Sequence, residues 1–114
     1  ILNIIEVLNI ETSKMTTAEQ IDYFNNQCSQ IVKLANNIFN LNLNYEPIEL
    51  DEPATFNSWY SAYEREATEQ IRDKFYELFN QLSNSHITRP AAPFATVQYI
   101  FNTIDNTLTK LQKY

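Results

Sequence analysis

Residues 53–85, PATFNSWYSAYEREATEQIRDKFYELFNQLSNS, form the longest stretch of the chain with an unbroken helical pattern. Apolar side chains recur along it at steps of three or four residues, which places them on one side of a helix. They are Phe56, Tyr60, Tyr63, Ala67, Ile71, Phe75, Leu78 and Leu82. Pro53 suits the first turn of a helix, and neither proline nor glycine follows it within the stretch. The pattern predicts a helix at 54–84.

The apolar side of this predicted helix changes direction halfway along. At about 100° per residue, Phe56, Tyr60 and Tyr63 point one way, whereas Ile71 and Phe75 are displaced around the cylinder. Two displaced faces need two neighbours, because each must be covered by another element. We therefore expect at least two further helices to pack against this one.

The composition of the chain favours a single helical domain. Its 114 residues fit one domain, at 1–114, and 44% of them are hydrophobic. Glycine is absent, which argues against an all-β fold because tight hairpins depend on glycine. Its absence also excludes glycine-dependent phosphate loops, dinucleotide-binding motifs and nucleophile elbows. The chain starts at Ile1 rather than methionine, which is consistent with a processed protein or a fragment of a longer chain.

The net charge and hydropathy narrow the range of partners. A formal charge of −6 disfavours binding to nucleic acid or to an anionic membrane, because both repel an acidic surface. No segment has the roughly 18 consecutive apolar residues that a membrane span requires. These properties leave another protein as the expected partner.

Three further segments carry helical patterns. Thr16 and Glu19 have the spacing of a capping box, and the predicted helix at 17–40 carries a stripe that includes Ile21, Phe24 and Cys28. A last helix is predicted at 94–112, opened by Pro90 or Pro93. The first segment, at 2–11, is predicted to be a short helix, with a β-strand as the alternative because it is rich in isoleucine.

The segment between the first two long helices does not fit a helix. Leu41, Leu43 and Tyr45 alternate with polar residues, and Pro47 and Pro53 exclude a continuous helix. We expect an extended crossover, with a brief edge strand as the alternative. Its acidic residues indicate either a solvated surface or a docking strip for a basic partner; they are Glu46, Glu49, Asp51 and Glu52. The predicted fold is all-α: an antiparallel bundle of three long helices, a short N-terminal helix and one extended crossover.

The sequence offers little catalytic or metal-binding chemistry. His86 is the only histidine and lies in a predicted loop, and Cys28 is the only cysteine and lies in an apolar stripe. Carboxylates on the central helix alternate with basic residues, as in the pair Arg65 and Glu69, which is typical of a solvated helix surface. We therefore predict no catalytic site, no metal, no cofactor and no enzymatic activity.

Surplus aromatic residues on the central helix are the best candidates for binding. Such residues often anchor protein interfaces. A first group comprises Trp59, Tyr60 and Tyr63, and a second comprises Arg72, Tyr76 and Phe79. The leading hypothesis is a non-catalytic protein–protein interaction module, such as an adaptor, an immunity or inhibitor protein, or an assembly domain. The alternatives are a homo-oligomer that pairs through residues 2–11 and a bundle that binds a small apolar ligand.

Overall fold

A computed structural model describes residues 12–54, 58–83 and 96–114, and these residues form an all-helical structure. A short 3-10 turn at Thr12–Lys14 precedes helix α1 at Thr17–Phe39, helix α2 at Ser58–Ser83 and helix α3 at Val97–Leu111. No strand occurs in these ranges. The predicted helix at 2–11 lies outside the described residues.

The boundaries of α1 follow the predicted signals. The Thr16 hydroxyl accepts a hydrogen bond from the Glu19 backbone N–H at 3.1 Å, and the Glu19 carboxylate accepts one from the Thr16 N–H at 2.9 Å. This reciprocal capping box confirms the predicted start of the helix. At its C-terminal end, Asn40 has φ 55° and ψ 46°, the left-handed conformation that often ends helices. Asparagine takes this role in a chain without glycine because its short polar side chain tolerates positive φ.

The other helices begin later than predicted. Ala54 lies outside any helix, and α2 is described from Ser58 onward. Phe56 is outside the described residues. Helix α3 begins at Val97, because Thr96 is its N-cap and the Thr96 hydroxyl accepts a hydrogen bond from the Tyr99 N–H at 3.1 Å. The prediction that a proline opens this helix is therefore wrong.

The core consists of the predicted apolar stripes. Helix α2 packs on both α1 and α3, which confirms the expectation that at least two further helices cover it. The largest fully buried side chains come from all three helices; they are Phe24, Phe75, Phe79, Phe101, Ile31, Ile71, Leu82, Ile100 and Ile104. None of the described helices is long and apolar enough to cross a membrane.

The contacts between helices show that they run in the same direction, so the predicted antiparallel arrangement is wrong. Near the start of α1, the rings of Phe24 and Phe101 lie 6.4 Å apart, and at its end the rings of Phe39 and Tyr114 lie 5.5 Å apart. Residue numbers on α1 and α3 therefore increase together.

Helices α1 and α2 follow the same order. Early in both helices, the Thr17 hydroxyl donates to the Glu64 carboxylate at 3.5 Å. Further along both, the Lys74 ammonium lies 5.8 Å from the centroid of the Tyr45 ring, whose hydroxyl donates to Asn25 of α1. All three helices consequently begin at one end of the bundle.

The parallel arrangement depends on the extended segment 41–53, called the strap here. Helix α1 has 23 residues and is about 34 Å long, and an extended connection of this size can return along its whole length. Two asparagine side chains of α1 hold the strap. Asn36 exchanges two hydrogen bonds with the backbone of Leu43, at 3.0 and 2.8 Å, and Asn25 exchanges two with the backbone of Ile48, at 3.0 and 2.9 Å.

The two asparagine contacts share one spacing. From Asn25 to Asn36, the helix rises by about 16 Å, and the extended chain from Leu43 to Ile48 also spans about 16 Å. A side-chain amide offers the same donor and acceptor as a peptide group. The asparagines therefore hold the strap as a neighbouring strand would, and the strap runs opposite to α1.

Candidate functional site

The first group of predicted binding residues lies at the end of the bundle where the helices begin. Trp59 occupies the first turn of α2 and is 71% exposed. Tyr60 is half-buried against the core, and its ring lies 5.6 Å from that of Tyr63. Tyr63 is a core residue with only 7% of its surface exposed. The accessible part of this group is therefore Trp59 with the outer edge of Tyr60.

The second group is mostly interior. Phe79 is 1% exposed, and its ring lies 4.7 Å from that of Phe75. Tyr76 is half-buried and packs with Phe75 at a ring distance of 5.4 Å. Arg72 is also half-buried. Because α2 is covered on two sides, this group offers much less aromatic surface than its spacing indicates.

A cavity of about 500 Å³, with Tyr60 in its wall, opens at the same end of the bundle. Its walls come from the 3-10 turn and all three helices, because the parallel arrangement brings their first turns together. The lining residues are Thr12, Met15, Thr16, Thr17, Gln20, Tyr60, Glu64, Thr68 and Val97. Thr12 fixes one side, since its N–H donates to the Gln98 side-chain oxygen at 2.8 Å.

Carboxylates dominate the electrostatics of this end. Glu64 is the only charged residue among those that line the cavity. Desolvation, followed by the negative charges of Glu52 and Glu64, raises the pKa of Tyr60 above its ordinary value. Desolvation also raises the pKa of Tyr63, with contributions from Glu52, Tyr60 and Asp22. Acidic groups from the strap, α1 and α2 therefore act on the same two aromatic rings.

A second cavity, of about 310 Å³, lies between the strap and the later half of α2. The Lys74 ammonium lies 5.8 Å from the centroid of the Tyr45 ring, within the range of a cation–π contact. The Tyr45 hydroxyl donates to Asn25, so it is bonded to α1. The rim carries Asn44, Glu46, Glu77 and Gln81, and this polar lining differs from the mainly apolar walls of small-molecule pockets.

Of the two single residues considered for chemistry, Cys28 and His86, only Cys28 lies in the described part of the chain. Cys28 is fully buried, and burial raises the pKa of its thiol well above the ordinary range, which makes it an inert core residue. His86 lies outside the described residues. Over the ranges that the structure describes, no group of three or more His, Cys, Asp or Glu side chains could hold a metal ion.

Most of the cavity could not be predicted from the sequence. Thr12, Thr17 and Thr68 have no common periodicity, and Glu64 has the pattern of a solvated helix surface. They meet because the three helices start at one end, which depends on the path of the strap. The cavity could have been predicted only if the parallel arrangement of the helices had been known.

Comparison of the chain with protein-family models, with curated proteins and with solved structures found no match. Function is therefore inferred from the described residues themselves. Their most distinctive surface is the exposed Trp59 at the end of the bundle that also carries the cavity with Glu64.

Proposed function

We propose that the chain is a non-catalytic protein–protein interaction module that binds its partner through the end of the bundle around Trp59. The exposure of Trp59 is the observation that carries this proposal. Tryptophan is highly buried on average in folded proteins and is enriched at the energetic centres of protein interfaces. A tryptophan left 71% exposed is therefore a suitable anchor for a partner.

The energy available from this one side chain is substantial. Complete burial of a large aromatic side chain removes roughly 150–250 Å² from water. At about 25 cal/mol per Å², covering the exposed part of Trp59 would contribute on the order of 3 kcal/mol. The half-buried Tyr60 gives the anchor a rigid base, because its ring is packed against Tyr63.

Affinity capture from the source organism tests the proposal. Wild-type protein is compared with Trp59→Ala and with Tyr114→Ala, in which another exposed aromatic residue, at 75% exposure, is removed from the opposite end of the bundle. We expect quantitative mass spectrometry to show a partner retained by wild type and Tyr114→Ala and lost from Trp59→Ala. Equal retention by both variants would contradict the proposed surface.

Homo-oligomerisation is the second candidate. Thr12 lines the cavity, and the apolar residues 1–11 precede it directly in the sequence. A fourth helix at 2–11 could pair with the same helix of a second copy. Light scattering would then show a dimer or larger species that is lost when residues 1–11 are deleted, whereas a monomer at high concentration would exclude this function.

A further inference from the structure

The cavity of about 500 Å³ combines one carboxylate, one aromatic ring and several hydroxyl groups. Glu64 lies on its wall, and one of its oxygens accepts a hydrogen bond from the Thr17 hydroxyl at 3.5 Å. Tyr60 forms another part of the wall, and Met15 and Val97 add apolar surface. A cavity of about 500 Å³ lies within the size range of sites that enclose small groups.

These groups match the chemistry of a long basic side chain. A lysine or arginine has an apolar stem that packs on methionine, valine and aromatic carbon, and a charged tip that binds a carboxylate. Such a tip is also attracted to the face of a tyrosine ring. The lining of the cavity contains all three kinds of group.

The surrounding charge favours the same occupant. The negative charge of Glu52 in the strap acts on Tyr60 and Tyr63, and that of Asp22 in α1 acts on Tyr63. The basic residues nearest in sequence, Lys14 and Arg65, are exposed and do not line the cavity. The formal charge of −6 would additionally steer a basic surface towards the protein.

The helix N-termini at this end of the bundle carry partial positive charge, which disfavours a bound cation. Each helix N-terminus carries the equivalent of about half a positive charge, which falls off within the first turn. In α1, the Glu19 carboxylate already compensates this charge within the capping box, whereas α2 and α3 have no acidic residue in their first turns. Glu52 and Asp22 add two full negative charges near Tyr60 and Tyr63 that outweigh these two partial charges. Glu64 lies beyond the first turn of α2 and carries a full negative charge on the cavity wall, so a cation remains the favoured occupant.

We infer that the cavity binds a lysine or arginine side chain of a partner protein, with the charged tip on Glu64 and the stem against Tyr60. The inference rests on the proposed function and specifies the chemistry of the partner. In this arrangement Trp59 covers an apolar residue that flanks the basic one. The partner is thus a basic surface segment with apolar neighbours.

Nuclear magnetic resonance with short peptides tests the inference. The probe is the capped peptide Ala-Leu-Lys-Leu-Ala, and its control carries norleucine, an uncharged residue with a similar stem, in place of lysine. We expect the lysine peptide to shift the backbone amide signals of Thr17, Gln20 and Thr68, and the norleucine peptide to shift them far less. Equal shifts from both peptides, or no shift from the lysine peptide, would overturn the inference.

Two matched variants complete the test. Glu64→Gln and Glu69→Gln remove the same charge from exposed positions of one helix, but only Glu64 lines the cavity. We expect about tenfold weaker binding of the lysine peptide by Glu64→Gln, as for loss of a hydrogen bond to a charged group, and unchanged binding by Glu69→Gln. Equal binding by both variants would also overturn it.

The experiments distinguish a failure of this inference from a failure of the proposed function. If Trp59→Ala abolishes capture of a partner while Glu64→Gln leaves peptide and partner binding unchanged, the interaction surface stands and the basic occupant is wrong. If Trp59→Ala leaves capture unchanged, the interaction surface itself is wrong.

Discussion

Replacement of Asn25 by alanine tests how the strap is held. The Asn25 side chain donates to the Ile48 carbonyl and accepts from both the Ile48 N–H and the Tyr45 hydroxyl. Each of three hydrogen bonds contributes about 1 kcal/mol net, and alanine regains roughly 0.6 kcal/mol of helix propensity. We expect Asn25→Ala to lower the free energy of unfolding by about 2.5 kcal/mol.

Asn26→Ala is the matched control. Asn26 is exposed, and its side chain donates to the Gln27 side chain at 3.4 Å. The control therefore gains the same helix propensity without loosening the strap, and we expect a change within about 0.5 kcal/mol.

Urea unfolding followed by circular dichroism at the helix band measures both variants. For a domain of this size, the expected loss corresponds to a midpoint lower by about 1–2 M for Asn25→Ala, with an unchanged slope. If the two variants unfold within about 0.5 kcal/mol of each other, the asparagine contacts do not hold the strap and the explanation of the parallel fold fails.

Three further predictions concern helix ends, core and pH. Asn40→Ala should cost about 1–2 kcal/mol because its left-handed backbone disfavours a Cβ atom, whereas Asn40→Gly should match or exceed wild type in thermal unfolding. Phe79→Ala should lower the free energy of unfolding by about 3–5 kcal/mol as a core truncation, whereas Trp59→Ala should change it by less than about 0.5 kcal/mol. Similar losses for the two variants would contradict the buried position of Phe79 and the exposed position of Trp59. Burial and the hydrogen bond to Asp105 raise the pKa of Tyr23, so the stability that Tyr23 provides is complete below about pH 10 and declines as the pH rises towards its folded pKa. Urea unfolding between about pH 8 and 11 should show a smaller decline for Tyr23→Phe, and an equal decline would contradict the assignment.

Local features of the fold follow from the sequence because they depend on near neighbours. The spacing of Ile21, Phe24 and Cys28 defines a buried stripe, and Thr16 with Glu19 defines a helix start. Such signals need no knowledge of tertiary contacts. They were sufficient to predict an all-helical protein and most of its core.

The direction of the helices could not be predicted in the same way. An extended connection permits either a turn to an antiparallel neighbour or a return to a parallel one. The choice depends on the contacts of Asn25 and Asn36, whose spacing matches an extended chain only when it runs back along α1. Two asparagines in a chain rich in asparagine gave no visible signal.

The candidate site, like the fold, could be predicted from the sequence only in part. Trp59 lies beside the predicted stripe and is exposed, as its position indicates, whereas Tyr63 and Phe79 are core residues. Helical spacing locates a side chain around one axis but does not reveal how wide a face the neighbours cover. The cavity at Glu64 is formed by the 3-10 turn and all three helices, so no local sequence pattern predicts it.

The central claim is that the three helices run in the same direction, so that their first turns surround the candidate site. Pulsed electron paramagnetic resonance can test it with spin labels on cysteines introduced at exposed positions, namely Lys110→Cys on α3 with either Lys33→Cys or Asp22→Cys on α1. The native Cys28 is fully buried and stays in place. In a parallel arrangement, position 33 lies level with position 110, and position 22 is displaced along α1 by about 16 Å. The account predicts a clearly shorter distance for the pair 33 and 110, and a shorter distance for the pair 22 and 110 would contradict it.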